Sequence, residues 1–99
     1  MEIRDFIDLE FGGMLECLDR LIRIPSVRSS AEPGAPFGKE ARRVLEEVLK
    51  TASEMGLAIR NYENQMGIVD LSGGLEPAIG ILCHADVVPA GTGWIHAPS

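Results

Sequence analysis

Ninety-nine residues with a net charge of −6, 45% hydrophobic and 24% charged, describe one globular domain at most, with room for only a small core. No Lys/Arg block and no interleaving of basic with aromatic residues occurs, which argues against nucleic acid and an anionic membrane surface as partners. The longest apolar run is far short of the roughly 18 residues that span a bilayer.

Cys17 and Cys83 form neither a CxxC pair nor a disulfide framework. The start, Met1-Glu2-Ile3-Arg4-Asp5, has no basic segment followed by an apolar one, so the expected compartment is a reducing cytoplasm.

Residues 3–24 carry an apolar stripe at helical spacing: Ile3, Ile7, Phe11, Met14/Leu15, Leu18 and Leu21/Ile22. Gly12-Gly13 interrupts it, at about 1 kcal/mol per glycine, so the spacing predicts a break there and a better helix over 13–24. Ile24-Pro25 ends it, because the residue before a proline leaves the α region. Residues 25–37 contain three prolines, three serines and a glycine and predict a loop.

Residues 38–55 predict the most regular helix. Ala41, Val44/Leu45, Val48/Leu49, Ala52 and Met55 make its apolar face, Glu46 and Lys50 an expected i,i+4 pair, and Gly56 a left-handed cap. Two strands follow, 57–63 and 67–71, joined through Asn64-Gln65-Met66 as a hairpin, with Leu57, Ile59 and Asn61 on one face. Residues 78–83 are apolar almost throughout and predict a third strand buried on both faces. The fold class expected is therefore α/β: two helices, a β-hairpin and a buried strand. Such a strand needs further neighbours, yet the sequence stops fifteen residues after His84, so the expectation is that these residues are a piece of a larger domain.

The stretch Gly80-Ile81-Leu82-Cys83-His84-Ala85-Asp86-Val87-Val88-Pro89-Ala90-Gly91-Thr92-Gly93-Trp94 places a histidine at the end of that strand. Ligands of open α/β sheets bind at this end. Strand alternation points His84 and Asp86 the same way and Cys83 and Ala85 the other. A carboxylate beside an imidazole accepts its second N–H and turns the other nitrogen toward a metal. The same pair suits a catalytic base, or a plain hydrogen bond with no further role. A metal site needs three or more ligands; His96, Asp70 and scattered glutamates are the other candidates. Cys17 and Cys83 read as core-packing thiols, and Trp94 as a pocket wall or a packing residue.

This stretch resembles the first metal-binding motif of the aminoacylase/carboxypeptidase superfamily of zinc exopeptidases. Upstream, Leu21-Ile22-Arg23-Ile24-Pro25-Ser26-Val27 is similar to that family's first helix end. Ala35-Pro36-Phe37-Gly38-Lys39 and Asn61-Tyr62-Glu63-Asn64-Gln65-Met66-Gly67 resemble its bacterial Xaa-His or β-alanyl dipeptidase branch. Gly12-Gly13, Cys83, Ala85 and Ser99 depart from the family pattern.

The resemblance implies that residues 1–99 are the N-terminal part of a catalytic domain, with the rest of that domain and a lid or dimerisation domain absent. It implies that His84 binds one zinc of a two-zinc site and that Asp86 orients it. The whole enzyme would use zinc-activated water and a glutamate base to hydrolyse a dipeptide or an N-acyl amino acid. The other ligands and the base would lie beyond Ser99, so the 99 residues alone are expected to be inactive, to bind zinc weakly, and to self-associate through an exposed sheet edge. A deacylase or carboxypeptidase on the same scaffold is the first alternative. A non-enzymatic α/β interaction module with a structural His84–Asp86 pair is the second.

Overall fold

The computed structural model describes residues 1–76 and 79–98. Its elements run α1 (Ile3–Ile22), α2 (Lys39–Glu54), β1 (Ala58–Tyr62) and β2 (Met66–Asp70), the α/β arrangement of two helices and a hairpin.

Gly12-Gly13 does not break α1, which runs unbroken over 20 residues. Its flanking turns supply enough helix former and capping to carry the two glycines. At the start, the Asp5 carboxylate accepts the Glu2 backbone N–H at 3.1 Å, supplying an acceptor to a backbone donor that the helix leaves free. At the end, Arg23 pairs with Asp19 at 2.8 Å, one turn back. The helix ends at Ile22 with Arg23 as its cap, two residues before the expected Ile24.

The loop over 25–38 is compact. Glu32 and Ala35 exchange two backbone hydrogen bonds of 2.9 and 2.8 Å around Pro33-Gly34, and Ser29 N–H donates to Phe37 O at 2.9 Å. Arg28 lies over the Phe37 ring at 5.0 Å. Gly38 closes the loop and caps α2 with φ 97°, a conformation that strains any residue with a Cβ. A Cβ there would also stand 1.8 Å from Ser29 Oγ, so both backbone and space demand glycine.

The α2 boundaries match the periodicity within one residue. Its end is a Schellman motif: Leu57 N–H donates to Ala52 O at 3.1 Å and Gly56 N–H to Ser53 O at 3.0 Å, with Gly56 at φ 84°. Glu46 is paired with Arg42 at 2.7 Å rather than with Lys50, because Arg42 also reaches the 32–35 loop through Gly34 O.

The hairpin is antiparallel and pairs Ala58 with Asp70 through Tyr62 with Met66. Its turn centres on Glu63 and Asn64, both at positive φ (54° and 59°), one residue earlier than expected. Asn61 is the reason. Its Oδ1 accepts the Asn64 backbone N–H at 2.9 Å and its Nδ2 donates to Asn64 Oδ1 at 2.8 Å, stabilising a conformation that asparagine tolerates better than most residues. Asn64 Nδ2 then donates to Gly34 O at 2.7 Å and ties the hairpin tip to the loop. Gly67 lets β2 lie directly on α2; a Cβ there would come within 2.8 Å of Leu49 and 3.0 Å of Leu45. Strand alternation puts Ile59, Asn61 and Val69 on the same α2-facing side.

The buried residues are Ile24 just after α1, Ser26 and Ala35 in the loop, and Val44, Leu49 and Ala52 of α2. The third strand is not formed. Its first residue, Ala78, lies outside the described residues, and Ile79, Ile81 and Leu82 are 85–94% exposed with no strand pairing. A strand buried on both faces needs partners on its edges and cover on its faces, and among the described residues none is placed to give them. Cys83 shares this exposure and is not a buried thiol, while Cys17 is half-buried with its Sγ 3.2 Å from Arg20 Nη2. The total accessible surface is 8362 Å², against about 5,500 Å² for a compact monomer of this mass. Among the described residues, no helix is long and apolar enough to cross a membrane.

Candidate functional site

Residues 79–98 carry the predicted motif along an extended path. Among the described residues one backbone hydrogen bond ties this path to the rest of the chain: Val87 N–H donates to Ser26 O at 3.2 Å, within an isolated parallel bridge between Val27 and Val87. The anchor is buried, with Ser26 only 1% exposed, and its backbone is stiffened by two tight contacts, Ser26 N–H to Ile24 O at 2.8 Å and Val27 N–H to Pro25 O at 2.9 Å.

His84 and Asp86 meet, although the strand whose alternation was expected to align them is not formed among the described residues. His84 Nδ1 stands 3.2 Å from Asp86 Oδ1 and 2.9 Å from the Asp86 backbone oxygen. A backbone carbonyl can only accept, so in this geometry Nδ1 carries the proton. In the neutral ring Nε2 then keeps its lone pair, on a side chain 82% exposed, and that is the form in which an imidazole ligates a metal.

The remaining candidates are not gathered here. No group of three or more His, Cys, Asp or Glu able to hold a metal ion exists among the described residues. His96 and Cys83 are exposed. The Asp70 carboxylate accepts the Ser72 backbone N–H at 2.7 Å. Together with the Arg60 charge this holds it below the ordinary carboxylate value. Trp94 is 58% exposed, and its indole N–H donates to Ala90 O at 2.8 Å, closing the Gly-rich turn on itself. The main-chain participants, Ser26 O and Asp86 O, escaped the sequence reading. Ile24-Pro25-Ser26-Val27 stood out by resemblance, but nothing in its spacing says that it meets Val87.

No family model matches the chain. Its relatives among known proteins carry the name dipeptidase. "Putative dipeptidase YtjP" of Bacillus subtilis (strain 168) is 37% identical over 79 residues, which is 78% of this chain and 17% of that protein. A Staphylococcus epidermidis protein of the same description is 37% identical over 87 residues, 86% of this chain and 18% of its own length. A Staphylococcus saprophyticus relative so named is 36% identical over 99 residues, 98% of this chain and 19% of its own length. The chain is thus similar to bacterial proteins named as dipeptidases along most of its own length, and spans about a fifth of theirs.

Proposed function

We propose that these residues form the N-terminal part of the catalytic domain of a cytoplasmic zinc dipeptidase, with a dipeptide as substrate. The name shared by the relatives supports the reaction class. The observation that carries the site is the His84 ring, held through Nδ1 with Nε2 free.

The residues present fit zinc as one corner of a site and not as a whole one. His84 would supply a neutral nitrogen donor through Nε2, and Asp86 would keep the ring in that tautomer. Zinc sites use three or four protein ligands, and residues 1–76 and 79–98 bring together one imidazole and its orienting carboxylate. A bound zinc would supply Lewis acidity toward a scissile carbonyl and lower the pKa of a water. The part of this chain in that chemistry is to present one ligand at a fixed angle. Alone it should bind zinc weakly and hydrolyse nothing. The free edges of β1 and β2, and the exposed apolar side chains of α1, support self-association of the isolated chain.

The test is a chimera in which this chain replaces the matching segment of the Bacillus subtilis relative. Zinc-dependent hydrolysis of dipeptides is expected, lost on chelation and in His84→Ala. A chimera that folds, binds zinc at the level of the parent protein and hydrolyses equally well with His84→Ala refutes the reading. Dipeptide turnover by the isolated 99 residues would refute the claim that they supply only one corner of the site.

A further inference from the structure

The peptide unit between Asp86 and Val87 carries two hydrogen bonds on its two sides. Its carbonyl oxygen accepts from His84 Nδ1 at 2.9 Å, and its N–H donates to Ser26 O at 3.2 Å. No cis peptide occurs among the described residues. In a planar trans unit the C=O and N–H point in opposite directions and turn together. Fixing the N–H on Ser26 therefore fixes where the carbonyl points, and it points at the imidazole.

We propose that Ser26 is a positioning residue for His84: its main-chain carbonyl, acting through the Asp86–Val87 peptide, holds the ring with Nδ1 protonated and Nε2 free. The purpose of that arrangement rests on the zinc reading above; the geometry does not.

Three observations make Ser26 the anchor rather than the follower. It is 1% exposed, whereas the His84 side chain is 82% exposed and the Asp86 side chain 51% exposed. Its backbone is braced by the contacts to Ile24 and Pro25, while residues 79–83 have no strand pairing among the described residues. The Asp86 carboxylate is the longer of the two acceptors at His84, at 3.2 Å against 2.9 Å, and water competes for it. Donation from the N–H side of an amide also strengthens its carbonyl as an acceptor. Without Ser26 the Asp86–Val87 peptide is free to rotate, and the shorter of the two bonds at Nδ1 rotates away with it.

The experiment is nitrogen-15 NMR of the histidine rings in the metal-free 99-residue chain, at a pH well above the ordinary histidine pKa of about 6.5. The wild-type His84 should show a protonated Nδ1 and an unprotonated Nε2, and the Val87 amide should exchange with solvent more slowly than that of Val88. Val87→Pro deletes the N–H that reaches Ser26. It should move the tautomer ratio of His84 about five-fold toward protonated Nε2, the ratio that one net hydrogen bond carries. Val87→Ala keeps the N–H and should leave the ratio where it was.

A wild-type His84 with protonated Nε2, or a Val87 amide exchanging as fast as Val88, overturns the proposal without any variant. So does a Val87→Pro chain whose α2 and hairpin amide spectrum is intact and whose His84 ratio is unchanged, or a Val87→Ala chain that shifts as far as Val87→Pro. No zinc and no substrate enter the measurement. A chimera that fails to hydrolyse dipeptides therefore leaves it standing, and an active chimera does not rescue it.

Discussion

The second helix hides Val44, Leu49 and Ala52 at 2–7% exposure, while the first, with 20 residues against 16, buries none. Composition does not explain this, since α1 holds more large apolar residues than α2. The difference lies in what each helix is given to pack against. α2 receives the braced loop over 25–38 on one side and, through Gly67, the hairpin on another. α1 touches α2 along one edge, where Cys17 and Leu21 become half-buried and Arg20 meets Glu47 at 3.2 Å. That exposed ion pair is worth at most about 1 kcal/mol. The path over 79–98 resembles α1 in this respect: apolar in sequence, open in structure, and tied to the buried unit through Ser26.

The contrast breaks most sharply under core truncation. Leu49→Ala should cost about 3 kcal/mol, because the cavity lies between α2 and Gly67 where neither side can collapse freely. Leu18→Ala, at a residue 50% exposed, should stay within about 0.5 kcal/mol. Urea unfolding of dilute samples compares them. Equal costs would mean that α1 is buried in solution, and sedimentation at rising concentration would then show association.

Gly38→Ala should cost about 2 kcal/mol, from positive-φ strain and the forced displacement of Ser29. The same change at Gly12 or Gly13, where a Cβ meets nothing within 4 Å, should stabilise α1 by up to about 1 kcal/mol. Helical circular dichroism reads both. Stabilisation by Gly38→Ala would show that the tight junction between loop and α2 is absent in solution.

Ser26→Ala probes the anchor from its side chain. Among the described residues Ser26 Oγ is buried without a hydrogen-bond partner, and such a group costs about 1–3 kcal/mol. Removing it should leave stability unchanged or raise it by about 1 kcal/mol, and should not move the His84 tautomer, which depends on the backbone carbonyl. A loss above that size in thermal unfolding would mean that the hydroxyl has a partner.

The parts legible in the sequence are those whose physics is local. The 3.6-residue repeat from Ala41 to Met55 marks α2, and Gly56 its cap. What was not legible depends on neighbours. Residues 79–83 read as a strand because they are apolar, yet strand formation needs an edge to pair with. The hairpin turn moved one residue because Asn61 and Asn64 pair side chain to side chain, which no turn propensity contains. At the candidate site the side chains could be read from the sequence, and the two carbonyls that hold them could not, since every residue has one.

The smallest expected effect is at Asp70, and its sign can be worked out. Ser72, which donates its backbone N–H, and the Arg60 charge favour the ionised carboxylate, so its folded pKa lies below the ordinary 3.8. A group depressed in the folded state binds fewer protons there than in the unfolded chain. Its contribution is complete above that ordinary value and is lost as pH falls from about 4 through the folded pKa. Asp70→Asn should therefore flatten the acid limb of the stability profile below pH about 4 and lower stability slightly at neutral pH. Because Asp70 sits at the end of β2, paired with Ala58, the loss should appear first as faster amide exchange at that end of the hairpin, with α2 unaffected. An unchanged acid limb in the variant would show that Ser72 does not hold this carboxylate in solution.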